Sequence, residues 1–363
     1  MLPGRVFNFS AGPSVLPEPV LQKAQEELLV YPGAGASIME ISHRSKVFEK
    51  ILESAKDSLR KLLNLPRNYS IIFTPGGATL QFSMIAMNFL NGGKADYINT
   101  GSWASKAMGE AKKHGEVVEV WSGKGENYRR IPKSEELRLS PDAKYVHFTS
   151  NETIQGIEFF EEPEVGDKPL FCDASSDFLS RPIDITKYAL IYAGAQKNIG
   201  PSGTAVVIIR EDLLERVPNG LPSLLDYKVM VENNSLYNTP STWNIYIISL
   251  VLDWVLNSVG GLEKIEEINK KKAQVIYDVI DKYSEFYLGH AEKTSRSRMN
   301  ITFRLPSESL EKEFLEKATA EGLHGLKGHR SVGGCRASIY NAMPYEGCLA
   351  LSKFMEDFVK SHG

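Results

Sequence analysis

The sequence has few cysteines, no large excess of charge and no long hydrophobic run, and each absence excludes a class of protein. Its three cysteines lack the spacing of metal ligands and are too few for a disulfide scaffold, so we expect no metal site and a reducing compartment. A net charge of −3 provides no electrostatic footprint for nucleic acid or for an anionic membrane. No apolar run is expected to reach signal or membrane-spanning length. We therefore expect a cytoplasmic protein, without nucleic-acid or membrane partners, that binds anions through local basic clusters.

The sequence does contain a regular alternation of strand and helix patterns. Of its 363 residues, 42% are hydrophobic and 24% are charged, as in an ordinary globular protein with a substantial core. Short apolar runs predict strands at 70–74, 96–99, 117–120, 144–149, 169–173, 189–192 and 204–209. With helical patterns between them, they predict an α/β fold whose mostly parallel sheet has helices on both faces. Ligands of such sheets bind beyond the carboxyl ends of the strands.

A second, smaller unit is predicted toward the end of the chain. The pattern over 241–257 is that of a long apolar helix, and a charged helical pattern follows Gly260 and Gly261. Apolar runs at 299–304 and 336–340 predict further strands. We expect a large domain over residues 16–258, and a small domain formed by residues 1–15 together with 259–363.

One lysine lies between two apolar runs, in the segment AGAQKNIGPSG at 193–203. Lysine is rarely buried unless it is paired or used, so Lys197 is either solvated at a strand end or held in a pocket for chemistry. Asp173 ends a preceding strand in LFCDASSDF, so both side chains can emerge at the same sheet edge. A carboxylate at a ring nitrogen and a lysine at an aldehyde are the pair that pyridoxal phosphate needs. The alternative for Asp173 is a cap on the turn at Ser175 and Ser176.

A candidate phosphate site follows an earlier strand, in TPGGATLQF at 74–82. Its two glycines connect a strand directly to a helix, which exposes unpaired N–H groups at the helix N-terminus. The alternative is a tight turn without a ligand. Trp103 in TGSWASKA opens another predicted helix, where it could stack on a flat ring or pack against the sheet.

Two basic clusters stand out in this slightly acidic chain. SHRS contains His43 and Arg44, and GHRSVGGCRAS contains His329, Arg330 and Arg336. Because the guanidinium fork matches carboxylate and phosphate oxygens, the clusters predict a dianionic substrate that is held at both ends. Taken singly, a His-Arg pair is more often part of a solvated loop, and it is the combination of two pairs with a third arginine that favours a binding site.

Together these motifs resemble one enzyme family. GAQKN, CDASSDFLS, EISHRS, SLYNTP and KGHRSVGGCRASIYNA are similar to the phosphoserine aminotransferases, class-V enzymes of fold type I that use pyridoxal 5′-phosphate, and the similarity covers essentially the full chain. The resemblance implies a large domain with a seven-stranded, mostly parallel sheet and a smaller C-terminal α/β domain. It also implies a homodimer whose active site is shared across the interface.

The resemblance further implies a role for each matching residue. Lys197 would form the Schiff base with the cofactor and move the proton between Cα and C4′, while Asp173 pairs with the pyridine nitrogen. The other implied cofactor-binding residues are Gly77, Ala78, Trp103, Thr153 and Gln196, with Asn238 and Thr239 reaching the phosphate of the neighbouring subunit. The implied substrate-binding residues are Arg336 at the α-carboxylate and His43, Arg44, His329 and Arg330 at the distal anion, the 329–330 pair across the dimer.

The implied reaction transfers the amino group of L-glutamate to 3-phosphohydroxypyruvate, giving O-phospho-L-serine and 2-oxoglutarate in serine biosynthesis. The family also makes the phosphorylated four-carbon oxo acid of pyridoxine biosynthesis a plausible substrate. The loop Gly76-Gly77-Ala78-Thr79 departs from relatives that carry an arginine there. Binding of the phosphate would therefore depend more on the His-Arg pairs.

Two other interpretations stay open at this point. A cysteine desulfurase or related lyase would keep the fold and use a nucleophilic thiol, for which Cys335 beside Arg336 is the candidate. A catalytically silent binding protein would keep the fold and lose the cofactor. The intact lysine, aspartate and anion-binding residues argue against the silent protein.

Overall fold

The computed structural model describes residues 2–363, and its helices and strands alternate over much of the chain. The α-helices are α1 Glu18–Glu27, α2 Lys46–Leu62, α3 Ala78–Phe89, α4 Ser102–Ala111, α5 Tyr227–Glu232, α6 Thr242–Asp253, α7 Leu262–Lys282, α8 Glu308–Ala320 and α9 Tyr345–His362. The strands are β1 Phe7–Asn8, β2 Tyr69–Pro75, β3 Lys94–Asn99, β4 Glu116–Ser122, β5 Val146–Thr149, β6 Asn151–Glu152, β7 Ile157–Glu158, β8 Leu170–Asp173, β9 Leu190–Gly194, β10 Thr204–Arg210, β11 Leu288–Gly289, β12 Asn300–Arg304, β13 Leu323–His324 and β14 Cys335–Ser338.

The central sheet has seven strands in the order β2-β10-β9-β8-β5-β3-β4. β10 runs antiparallel to both of its neighbours, β2 and β9, whereas the remaining pairs are parallel. The predicted mostly parallel α/β fold is therefore confirmed. The reversal of β10 follows from the short connection after β9, since a parallel strand would need a crossover of a dozen residues or more.

Helices cover both faces of this sheet, as the apolar composition of its strands predicts. Ile71 and Phe73 point into a core shared with α2 and α6, whereas Ile72 points into one shared with α3 and α4. Successive residues of β10 also point alternately into these two cores. Because successive strand residues face opposite sides, a continuous apolar run is what a sheet buried on both faces requires.

A second group of elements forms around β11, β12 and β14, which make an antiparallel sheet. Its apolar core is contributed mainly by α7, α8 and α9. β1 pairs in parallel with β13, so the first residues join the C-terminal part of the chain. The domain limits at residues 15 and 258 stay a prediction.

The expectation that no apolar run reaches membrane-spanning length needs correction. The helical segment Thr242–Val259, which includes a π-helical end at Trp254–Val259, has 18 residues with a mean hydropathy of 1.2, enough by length and composition to cross a membrane. In the fold, Ile245 and Ile248 of this segment are almost fully buried in the core that α2 also lines. The segment is apolar because it is a core helix of the sheet.

Candidate active site

The candidate site lies at the carboxyl end of the central sheet, where residues from several connections meet. β8 ends at Asp173, and the chain leaving β9 reaches Lys197 three residues after the strand ends. Thr153 follows β6, and Trp103 lies in the first turn of α4 after β3. The predicted cluster beyond the strand ends is therefore formed by residues distant in sequence.

Lys197 is held in a tight connection between β9 and β10. Gly200 in this connection has no room for a side chain, because an added Cβ would lie 2.7 Å from Ile248 Cγ1. Lys197 is only 8% exposed, and its Nζ donates to Thr153 Oγ1 at 2.7 Å. Burial lowers the pKa of Lys197 to about 8, against the opposing effect of the Asp173 carboxylate. The solvated alternative for Lys197 is thus excluded.

Asp173 is buried beside Lys197 and has one carboxylate oxygen committed to the protein. Oδ1 accepts from Ser175 N at 2.9 Å and from Ser175 Oγ at 2.6 Å. Burial raises the pKa of Asp173, and the charge of Lys197 opposes that rise. The turn-capping role and the functional role are therefore compatible, since Oδ2 makes none of these bonds.

Trp103 places its ring beside the lysine. Lys197 Nζ lies 5.4 Å from the centroid of the Trp103 ring. Lys106, which is in α4 like Trp103, has its Nζ 4.4 Å from the same centroid. Within residues 2–363, the buried Trp103 Nε1 and Arg336 Nε have no hydrogen-bond partner. Buried donors are normally satisfied, so these atoms indicate a polar ligand beside Lys197. A ligand with several acceptor oxygens fits these two donors.

The N-terminus of α3 provides a place for a phosphate. Gly76 has φ +88°, which favours glycine, and it turns the chain from β2 into the helix. Across the part of the chain that is described, the N–H groups of Gly77, Ala78 and Thr79 donate no hydrogen bond. Three free donors at a helix N-terminus are the arrangement that an anion site needs, and the binding of a phosphate there stays a prediction. Gln196 lies beside the segment Gly12–Ser14, since Ser14 N donates to Gln196 O at 3.0 Å.

Arg336 and His329 line one cavity of about 130 Å³, together with Arg304 and His290. Arg336 Nη1 donates to Thr153 O at 3.3 Å, and no carboxylate in residues 2–363 forms an ion pair with its guanidinium. Ser331 N donates to His329 Nδ1 at 3.2 Å, which leaves the proton of a neutral ring on Nε2. Burial and the nearby arginines lower the pKa of His329. Arg304 is paired with Glu311, whereas Arg336 and His329 present donors to the cavity with no carboxylate of the described residues to receive them.

The remaining predicted residues lie at the surface of the single chain. Arg44, Arg330 and Thr239 are exposed, and His43 and Asn238 are half-buried. His43 and Arg44 do not line the cavity that contains Arg336. Asn238 Nδ2 donates to Thr239 O at 3.2 Å, while the buried Asn238 Oδ1 is without a partner among the described residues. One chain thus brings together only part of the predicted set.

Sequence reasoning missed Glu152, which is fully buried at the same site. Glu152 Oε1 and Oε2 accept from Ala104 N at 2.8 Å and Trp103 N at 3.0 Å. Burial raises the pKa of Glu152 to about 7, although the two N–H groups lower it. The signal was present in SNETIQG, where an acidic residue follows the end of an apolar strand by three positions and is next to Thr153.

Cys335 does not have the environment of a nucleophilic thiol. It lies in β14 with 2% exposure, and burial raises the pKa of its thiol well above the ordinary value. Reactive cysteines have depressed pKa values and partial exposure. The geometry therefore gives no support to the desulfurase interpretation.

Comparison with known proteins agrees with this geometry over the whole chain. The profile of the aminotransferase class-V family matches residues 6–351. The phosphoserine aminotransferase of Geobacillus kaustophilus is 54% identical over 355 residues, which cover 98% of each chain. The solved phosphoserine aminotransferase of Bacillus circulans subsp. alkalophilus superposes with a TM-score of 0.97 at 53% identity, over 99% of each chain. The pyridoxal-phosphate-bound phosphoserine aminotransferase of Trichomonas vaginalis gives a TM-score of 0.92 at 40% identity, over 97% of this chain and 100% of its own. A match of this length and identity, to enzymes with the same overall structure, means that the chain belongs to the class-V aminotransferase family.

Proposed function

We infer that this protein is a pyridoxal-phosphate-dependent aminotransferase that converts L-glutamate and 3-phosphohydroxypyruvate into 2-oxoglutarate and O-phospho-L-serine. This is a step of serine biosynthesis. The observation that carries the inference is the buried Lys197, which has Asp173 and the Trp103 ring as neighbours in a chain about half identical to enzymes of that name. The assignment of roles to single residues below is our proposal.

Lys197 is the proposed proton carrier. Bound pyridoxal phosphate supplies an electron sink that stabilises negative charge at the substrate Cα. Lys197 would attach to the cofactor aldehyde until an incoming amine displaces it. In the cofactor-free chain burial lowers the pKa of Lys197 to about 8, toward the range in which an amine can act as a general base. The released amine would take the proton from the substrate Cα and return it at C4′. Thr153 orients the amine through its hydroxyl.

Asp173 and Trp103 would hold the ring on two sides. With Oδ1 fixed by Ser175, the other oxygen of Asp173 is free to accept from the protonated ring nitrogen. A pyridinium would stabilise the ionised form of Asp173 against the effect of burial. The phosphate would bind at the free N–H groups of Gly77, Ala78 and Thr79, with Gln196 beside it and with Asn238 and Thr239 of a neighbouring subunit.

Arg336 would bind the α-carboxylate of each substrate. No carboxylate of the described residues pairs with its guanidinium. The guanidinium donates to Thr153 O, and Lys197 donates to the hydroxyl of the same threonine, so both side chains are held beside one residue. His329 shares the cavity and would donate from Nε2 to the distal phosphate or γ-carboxylate. One chain therefore already brings His329 to Arg336, and a contribution of the 329–330 pair across the dimer stays a prediction.

A homodimer would complete the site with His43 and Arg44. Apolar side chains close to these residues in sequence are strongly exposed in the single chain, with Leu29 at 80%, Val30 at 61% and Met39 at 60%. Exposed apolar side chains of this kind are surface that an interface with a second copy would bury. A second copy that covers them would place the SHRS segment against another surface of the enzyme, in a cytoplasmic dimer.

The phosphorylated four-carbon oxo acid of pyridoxine synthesis is a second substrate that we propose to test. It carries the same α-carboxylate and terminal phosphate, so the same donors would bind it. Activity with both oxo acids at equal concentration, measured on one preparation, decides the preference.

The experiment for the main proposal follows the near-visible absorbance of purified protein that is loaded with pyridoxal phosphate. L-glutamate should remove the band of the lysine-linked cofactor, and 3-phosphohydroxypyruvate should restore it. A band that does not respond to glutamate would contradict transamination. Failure to load the cofactor at all would contradict the enzyme assignment and leave the silent binding protein. The variant Cys335→Ser should behave as the wild type, and loss of all activity in it would revive the desulfurase.

A further inference from the structure

The helix that carries Trp103 has no cap of its own. α4 is preceded by Gly101, which has no side chain to accept from the first N–H groups of the helix. These N–H groups instead donate hydrogen bonds to two side chains of another segment. Gln155 Oε1 accepts from Ser102 N at 3.3 Å, and Glu152 accepts from the next two N–H groups at 3.0 and 2.8 Å.

This cap fits closely against the backbone that it holds. A Cβ at Gly101 would lie 2.6 Å from both Gln155 Oε1 and Glu152 Cδ, so only glycine allows the approach. Gln155 Nε2 also donates to Ser102 Oγ at 2.9 Å. No basic side chain in residues 2–363 forms an ion pair with Glu152. The helix N-terminus is therefore what compensates this buried carboxylate, through two charge-assisted hydrogen bonds.

The same segment contacts the other functional side chains. Thr153, next to Glu152, accepts from Lys197 through its hydroxyl and from Arg336 through its carbonyl. Gln155 O accepts from Thr302 Oγ1 of β12 at 2.9 Å. Residues 152–155 thus connect the helix of Trp103 to the lysine, to the arginine and to the C-terminal sheet.

We propose that Glu152 is a positioning residue: by capping α4 it fixes the Trp103 ring at its distance from Lys197, and so fixes the face on which the cofactor ring stacks. This inference rests on the proposed function, because it assigns Trp103 to that ring. Glu152 itself does not touch the reacting atoms. Substitution of Glu152 should therefore change the affinity for the cofactor and the circular dichroism of the bound cofactor, as well as turnover.

The test compares cofactor-free wild type with Glu152→Gln, whose side chain has the same size. Each of the two N–H groups donates to a different oxygen of Glu152, and an amide in the same orientation replaces one of these oxygens with NH₂, so one helix donor loses its partner. We expect the dissociation constant for pyridoxal phosphate, measured by fluorescence titration, to rise about tenfold. The circular dichroism of the bound cofactor should weaken. In a Trp103→Phe background the same substitution should have less than half of that effect.

Asp226→Asn is the matched control. Asp226 also caps a helix, α5, by accepting from Lys228 N and Val229 N, and none of these residues belongs to the proposed site. It should lower the melting temperature slightly and leave the cofactor signals unchanged. If Glu152→Gln does not fold, Gln155→Ala, which removes the acceptor of Ser102 N, should raise the dissociation constant about threefold.

Each result separates this inference from the proposed function. Wild type that does not bind pyridoxal phosphate would overturn the proposed function. Wild type that binds it while Glu152→Gln binds equally well, with unchanged circular dichroism, would overturn the positioning role alone. Equal effects of Glu152→Gln in the presence and in the absence of the Trp103→Phe substitution would also overturn it.

Discussion

Two lysines of this protein are buried, and their surroundings differ. Lys197 lies at the carboxyl end of the central sheet, where its Nζ donates to a single hydroxyl, that of Thr153. Lys272 lies in α7, and its Nζ donates to the carbonyls of Ile339 at 3.0 Å, Tyr340 at 2.7 Å and Asn341 at 3.4 Å. Burial lowers the pKa of each lysine to about 8. A lowered pKa alone therefore does not distinguish a reactive lysine from a structural one.

The difference lies in how the three N–H donors of the ammonium are used. Lys272 directs all of them to the backbone at the end of β14, which makes it a cross-link between α7 and that sheet. Lys197 uses one and faces Asp173, Glu152 and the Trp103 ring. Because a satisfied ammonium stabilises the fold and an unsatisfied amine is free to react, substitutions should affect activity in one case and stability in the other.

The largest expected effect belongs to Lys197→Met. Removal of the amine should reduce turnover by about 10⁴-fold or more, since no other group is placed to move the proton. The free energy of unfolding of the cofactor-free protein should change by less than about 1 kcal/mol, because only one hydrogen bond is lost with a buried amine. Steady-state kinetics measure the turnover, and urea denaturation of the same preparation measures the free energy of unfolding. A stability loss as large as that of Lys272→Met would remove the distinction between the two lysines.

Asp173→Asn tests how the charge of its neighbour affects Lys197. The amide can still accept from Ser175, but it has no charge to hold a protonated ring nitrogen or the Lys197 ammonium. We expect turnover to fall about 10²–10³-fold with cofactor still bound, and the pKa of Lys197 in the cofactor-free protein to fall further. Single-turnover kinetics and the pH dependence of cofactor attachment measure the two effects. Near-wild-type turnover would show that this carboxylate only caps its turn.

Lys272→Met is the counterpart at the structural lysine. The variant leaves backbone carbonyls without their charged donor, so we expect the free energy of unfolding to fall by about 2–4 kcal/mol. Turnover per folded molecule should stay within about twofold of the wild type, since Lys272 makes no hydrogen bond to Lys197, Thr153 or Asp173. It is connected to them only indirectly, through Asn341, whose N–H donates to Asn198 Oδ1. Urea denaturation and active-site titration separate the two quantities. Loss of turnover without loss of stability would reverse the comparison.

The smallest expected effect concerns pH. A lysine with a folded-state pKa of about 8 and an unfolded value of 10.5 binds fewer protons when folded, so its contribution to stability rises with pH between these values. Buried tyrosines and cysteines act in the opposite direction at high pH, and the difference between wild type and Lys272→Met cancels them. That difference should grow by about 1–2 kcal/mol from pH 8 to about pH 9.5. A difference that is constant with pH would mean that Lys272 keeps its ordinary pKa in the fold.

The comparison also separates what could be predicted from the sequence. Lys197 could be predicted because its apolar flanks and the turn residues around it place it at a strand end. The spacing of Asp173 after its own strand placed it at the same edge. Lys272 could not be predicted, because it occurs in KKK at 270–272, in a charged helical pattern that resembles a solvated surface. Which lysine of that run turns inward depends on the packing of α7 against β14.

The sequence by itself determined the α/β class, the family and the lysine–aspartate pair, because these depend on local periodicity and on motifs that each lie within one segment. Only the tertiary structure decided that β10 lies between β9 and β2, and that the apolar segment Thr242–Val259 is a core helix. It alone also placed Glu152 as the cap of the helix of Trp103. Those outcomes depend on contacts between segments that are tens to hundreds of residues apart, and the composition of one segment carries no record of the partner that it meets.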